Sequence, residues 1–313
     1  MWTVFDVVGH PRDLGEAQGQ RLALQIQEQA CALDGPRRPW FPSLRGLTSG
    51  VQRGTGVGRE VIRHYTHLAE RMDGLARGAG VSIDSILALH AKVEATVEES
   101  DALLHPEMAL SAVDLNDQGG VILARSLSEA STAEANFCIR KSRPAVGFAS
   151  VEIVLPWMCT SLAGVNQAGL AACIVPSPGG SSRDQVDPSP LLLVQECLQR
   201  FESVETAQDW AMNRPAWGWA TLLLADASGD RVQVDYAGDQ RRDQRALDEP
   251  VWAGASLGDQ SPLEDRLLSG EADINQTLES VSSESQVEDW VLLRPACRVL
   301  ECRGQSSHLK IEI

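Results

Sequence analysis

The sequence predicts an α+β fold in which antiparallel sheets are covered by helices. Three features carry that expectation. The first third of the chain shows apolar residues at helical spacing. The remainder is a series of β-prone runs joined by turns rich in Asn, Asp and Gly, the pattern of hairpins. Helix pairs sit between those hairpins, as helices segregated to the faces of an antiparallel sheet would. The expectation is one domain over 1–313, with a mainly helical portion at 1–105 and a hairpin-rich portion at 106–313.

Taken in order, Trp2 to Val8 reads as a short strand and Pro11 to Gln29 as a helix with Leu14, Leu22 and Ile26 on one face. Gly15 and Gly19 lie inside it. Each costs a helix about 1 kcal/mol against alanine, which points to close packing at that face. Gly35 to Pro42 holds three prolines and reads as an elbow. Arg53-Gly-Thr-Gly-Val-Gly58 follows no strand and lacks a P-loop lysine, so it reads as a linker. A second helix spans Val57 to Arg77, and a serine-capped third begins at Ser82. The acidic run Glu94 to Asp101 reads as a solvated face.

The central hairpin follows: Glu107 to Leu115, a turn at Asn116 to Gly120, then Val121 to Ser128. Ala145 to Leu155 alternates as a strand. Thr160 to Val165 and Leu170 to Val175 form a second hairpin about Asn166 to Gly169. Pro176 to Pro190, rich in proline and serine, is a long loop of the kind often used as a lid. Helices are expected at Leu191 to Arg200 and Val204 to Asn213, then a third hairpin with Thr221 to Ala225, turn Asp226 to Asp230, and Arg231 to Tyr236. Leu263 to Leu268 and Ile274 to Val281 look helical. Strands at Trp290 to Leu293, Arg298 to Cys302 and Leu309 to Ile313 end the chain.

Composition narrows the partners. The net charge of −16 and pI near 4.8 disfavour phosphate backbones and anionic lipid, so no nucleic acid and no membrane partner is expected. The first eight residues lack a basic flank and a small-residue cleavage site, and no run approaches a membrane span. The seven cysteines include no CxxC pair, which fits a reduced, cytoplasmic chain with buried thiols. His64 and His67 are three apart on a helix face and lack a neighbouring third ligand; a solvated face is the expectation, with no metal and no cofactor.

Several stretches, in this order, resemble the acyl-coenzyme A:6-aminopenicillanic acid acyltransferase family of N-terminal-nucleophile hydrolases. They are Leu14-Gly-Glu-Ala-Gln-Gly19, Leu75 to Leu89, Ala163-Gly-Val-Asn-Gln-Ala-Gly-Leu-Ala171, Leu222 to Gly229, and Arg298 to Gly304. The resemblance covers nearly the whole chain and implies an αββα sandwich. It also implies a precursor that cuts itself before a cysteine, whose freed α-amine then serves as base for amide hydrolysis or acyl transfer.

The residues that should do this depart from the pattern. With Ala112, Val113 and the turn in register, Met108 stands where the cysteine is implied, and a thioether has no proton to give up. Ser126-Leu-Ser128 stands for an Asn-x-Asp, and Gln195 for an arginine. The implied pocket positions are Met108, Ser126, Ser128, Asn166, Asp226 and Arg266; turn chemistry alone also explains Asp226, and a surface ion pair Arg266. Ser111 is the candidate catalytic hydroxyl, reached by a cut after Leu110. Three residues along a strand, however, places it on the opposite face unless a bulge intervenes. Cys159-Thr-Ser161 copies the missing start, but on the second hairpin.

Three readings stay open: an uncleaved divergent member that binds or processes a small acyl-amide or peptide-like metabolite; a pseudoenzyme serving as scaffold or binding subunit for a protein partner; and an amidase or acyltransferase using Ser111.

Overall fold

The computed structural model describes residues 2–33, 58–94, 108–114, 120–127, 137–177, 188–245, 251–254, 278, 289–304 and 307–313. In chain order the first elements are β1 (Thr3–Gly9), α1 (Pro11–Arg21), α2 (Ala23–Leu33), a short helix α3 over 58–64, α4 (Thr66–Ala79) and α5 (Ile83–Glu94). The central hairpin is β2 (Met108–Asp114) and β3 (Gly120–Leu127). Then come β4 (Cys138–Pro144), β5 (Ser150–Val154), β6 (Ala163–Asn166), β7 (Leu170–Pro176), α6 (Leu192–Arg200) and α7 (Val204–Asn213). The chain closes with β8 (Gly218–Asp226), β9 (Arg231–Gly238), β10 (Gln240–Arg245), β11 (Val251–Gly254), β12 (Asp289–Arg294), β13 (Val299–Gly304) and β14 (Ser307–Glu312).

The strands form two sheets. One runs β1-β4-β5-β6-β7-β8-β9-β10 and the other β11-β2-β3-β12-β13-β14, and among the described residues all pairings are antiparallel except β1 with β4. The central hairpin lies over β7 and β8 of the larger sheet, while α1, α6 and α7 cover that sheet's other face. The α+β sandwich of antiparallel sheets under helices is therefore what the chain forms. The segments 263–268 and 274–281, expected to be helical, lie outside the described residues apart from Leu278, which is helical and buried.

The helical layer depends on close backbone approach. A Cβ at Gly15 would overlap the Arg71 carbonyl oxygen, and one at Gly74 would overlap the carbonyl oxygen of Arg12. Gly19 against Leu75 and Gly78 against Glu16 repeat the arrangement one turn along. The two Gly-x-x-x-Gly faces thus run side by side in the same direction, so α1 and α4 meet at their backbones.

Four differences from the sequence reading have physical causes. The helix expected from Val57 to Arg77 is split at Tyr65, whose φ of −135° and ψ of 51° leave the helical well. The helix expected from Pro11 to Gln29 breaks at Leu22, whose φ of −115° leaves the helical well, and α2 turns to pack on α5. The strand expected from Ala145 to Leu155 starts only at Ser150, because Gly147, at φ +100°, turns the chain out of β4. The strand expected from Thr160 shortens to Ala163–Asn166, because residues 155–162 form a buried irregular loop whose backbone groups are taken by side chains. Cys138–Pro144, read in sequence as no element, is the strand that receives β1.

Candidate functional site

The central hairpin places Ser111 at the middle of a continuous strand. β2 pairs with β3 residue for residue from Ala109 to Asp114, with Ser111 opposite Leu123, and on its other edge Ser111 faces Val251 of β11. No bulge interrupts this register, so the alternation of the strand holds and position 108 has the opposite parity to position 111. Ser111 shares its face with Ala109, and through register with Leu123 and Arg125, which belong to the buried layer between the sheets.

Two guanidinium groups bridge the sheets around it. Arg231 of β9 donates from Nη1 to the Ser111 carbonyl oxygen at 3.3 Å, and Arg125 of β3 donates from Nε to the Ile174 carbonyl at 3.0 Å. Ser111 Oγ is buried and has no hydrogen-bond partner among the described residues, so no base stands against it there.

The other candidate positions do not gather around Ser111. Ser126 is buried on the face of β3 opposite to Arg125, in register with Trp290. Met108 opens β2 across from Gly254. Ser128 and Arg266 lie outside the described residues.

Asn166 and Asp226 clamp a corner. Asn166 Oδ1 accepts the N–H groups of Ala168 and Leu170 at 3.0 and 2.9 Å, and its Nδ2 donates to the carbonyls of Leu198 and Phe201 at 2.9 and 2.8 Å. Asp226 accepts the Val204 N–H, at the start of α7, at 2.8 Å and the Ser228 N–H at 2.9 Å. Together they fasten the α6–α7 joint to two hairpin turns. Asn166→Ala is expected to lower stability by about 2–4 kcal/mol in urea unfolding, since four backbone groups lose their partner.

A second constellation, which the sequence reading did not single out, lies on the helix-covered face of the larger sheet. Arg140 and Glu152 are cross-strand partners on β4 and β5, both fully buried, with Nε 2.6 Å from Oε2. Arg140 Nη1 donates to Gln18 Oε1 of α1 at 2.7 Å, and Nη2 to Gln195 Oε1 of α6 at 2.7 Å. Gln195 Nε2 and Ser150 Oγ donate to Glu152 Oε1. Burial alone would raise the Glu152 carboxyl; Arg140, Arg71 and these hydrogen bonds outweigh it and hold the group below its ordinary value. Gln195, the position where the resemblance implies an arginine, is thus a structural link between α6 and the sheet.

The buried loop holds Cys159. The Met158 carbonyl accepts from Gln18 Nε2 at 2.9 Å and from Arg140 Nη1 at 3.1 Å, while the Cys159 N–H donates to His90 Nε2 at 3.1 Å. Burial pushes the His90 ring down to about 4, so it is a neutral acceptor. Burial pushes the Cys159 thiol up to about 12 against the opposing pull of Arg71 and Arg140, so it stays protonated.

His64 and His67 each meet a carboxylate, Glu60 at 3.3 Å and the buried Glu196 at 2.7 Å, and share no ligand position. Among the described residues no three His, Cys, Asp or Glu side chains come together as a metal-ligand set. Among them, too, no helix is long and apolar enough to cross a membrane.

No family model matches the sequence, and no curated protein does. Similar solved structures include penicillin V acylase from Agrobacterium tumefaciens, 14% identical with a TM-score of 0.45 over 65% of this chain and 84% of that one. A mutant of conjugated bile acid hydrolase from Clostridium perfringens is 8% identical, with a TM-score of 0.42 over 66% of this chain and 92% of that one. An N-acylethanolamine-hydrolyzing acid amidase ortholog from Caenorhabditis elegans is 12% identical, with a TM-score of 0.43 over 60% of this chain and 93% of that one.

Proposed function

We propose that this chain is a divergent relative of the N-terminal-nucleophile amidohydrolases and acyltransferases that works uncut, binding or processing a small acyl-amide or peptide-like metabolite. The observation that carries the uncut reading is the double pairing of β2. The Leu110–Ser111 peptide lies inside a regular ladder, with β11 on one edge and β3 on the other. Self-cleavage there requires Ser111 Oγ to reach the Leu110 carbonyl carbon, which means twisting a peptide that neighbours on both sides hold flat. No base assists Oγ among the described residues, and Met108 offers no nucleophile.

The second reading, Ser111 as nucleophile, draws support from the same hydroxyl. A buried Oγ without a partner among the described residues has its lone pairs available, and Arg231 of the facing sheet holds the carbonyl of the same residue. Intact mass of the purified protein separates the two. A single full-length mass is expected. Fragments ending at Leu110 would overturn the uncut reading and assign Ser111, and fragments ending at Met158 would overturn it in favour of Cys159. Given an uncut chain, a thermal-shift screen of acyl amides and short peptides tests for the ligand.

A further inference from the structure

Arg71 leaves the hydrogen bonding of the buried polar layer open. It reaches from α4 towards β4 and is fully buried, and Nη2 meets Ser142 Oγ at a long 3.3 Å. Its Nε and Nη1, which carry three of the five N–H groups of a guanidinium, have no partner among the described residues. A buried donor left unmet costs free energy, and more when it is charged. The charges around it do not balance either. Arg71 and Arg140 share one carboxylate, Glu152, which is already committed to Arg140, Ser150 and Gln195. His90 and Cys159, which lie beside the two arginines, are neutral for the reasons given above, and the buried Glu196 of α6 is taken by His67 and Arg200. Among the described residues, one positive charge is left over in a water-excluded layer of a chain that is otherwise strongly acidic.

We propose that Arg71, facing Ser142 and the Cys159 loop between α4 and the larger sheet, holds a buried monoanion of halide size. A halide accepts several N–H groups without demanding a direction, so it can sit where Nε–H and one Nη2–H of the planar fork point together, or between Nη1 and Nη2. It also supplies the missing negative charge, whereas a water molecule would satisfy donors but leave the charge. The role is structural: the anion joins α4, and through the glycine crossing α1, to the sheet.

Two measurements on the whole chain test this. Crystals grown in bromide should show an anomalous peak within hydrogen-bond distance of Arg71 Nε or Nη1. In urea unfolding at fixed ionic strength, replacing gluconate by bromide should raise the folded-to-unfolded ratio by about 100-fold once bromide reaches about 100 times its dissociation constant. The Arg71→Met variant should lose that dependence. Should the variant fail to fold, the anomalous peak on the unaltered protein still decides the matter. Equal stability in the two salts with no peak, or a bromide effect retained in Arg71→Met, overturns the proposal. So does thiolate absorbance near 240 nm at neutral pH that Cys159→Ser removes, because the charge would then be balanced from within.

Discussion

Glu152→Ala is expected to destabilise the chain by about 3–5 kcal/mol, because it leaves the Arg140 guanidinium buried without its carboxylate. The size follows from burial: neither partner reaches solvent, so water cannot replace what is removed. The double variant Arg140→Met with Glu152→Met should recover part of the loss, since two apolar side chains remove the unpaired charge. Recovery should stay incomplete. Arg140 also serves the carbonyls of Met158 and Thr160 and the side chains of Gln18 and Gln195, and these lose a donor whatever replaces Glu152. Urea unfolding of the three chains measures both steps.

The acid limb of stability tests the same layer. Glu152 has a folded pKa below its ordinary 4.5, so its contribution is complete above that value and is lost as pH falls through the folded one. His90 is a base held down to about 4 from 6.5, so the unfolded chain binds the extra proton between those values and stability falls as pH is lowered through them. The wild type should therefore weaken in two stages, from about pH 6.5 and again below about 4.5. Glu152→Ala should keep the first and lose much of the second.

The parts legible in the sequence are those set by local pattern. The second and third hairpin turns, the α6–α7 pair and the terminal strands follow from periodicity and turn residues, and each formed close to its expected place. Gly15 and Gly19 betrayed close packing because glycine is costly inside a helix. Their partners Gly74 and Gly78 did not, since a sequence does not say which two helices will meet. The polar layer was hidden for a related reason. Arg140 sits in Cys-Ile-Arg-Lys-Ser-Arg-Pro, a stretch too charged to read as a strand, and its burial depends on Gln18, Glu152 and Gln195 arriving from three other elements. A glutamine on the apolar face of α1 was the available signal. At the candidate site, alternation correctly set Ser111 apart from position 108, whereas the position of Arg231 beside it depends on how the two sheets stack.

Gly15→Ala is expected to cost about 2–4 kcal/mol, against the general rule that alanine strengthens a helix. In an open helix the change would gain about 1 kcal/mol from propensity. Here the new Cβ would overlap the Arg71 carbonyl oxygen and come within 2.8 Å of Leu75 N. Both are backbone atoms of an intact helix, so no rotamer change relieves the clash and α4 must move as a body. That movement has a particular consequence, because the residue struck is Arg71. Shifting its backbone away from α1 withdraws its guanidinium from Ser142, while α1 carries Gln18, whose amide ties Arg140 to the buried loop. The loss should therefore exceed that of a clash at a merely apolar crossing. Gln20→Ala, on the exposed side of the same helix, should stay within about 0.5 kcal/mol of wild type in the same urea titration. Equal effects at the two positions would mean that α1 and α4 are not held at their backbones, and the helical layer would lose its account of why four glycines stand where they do.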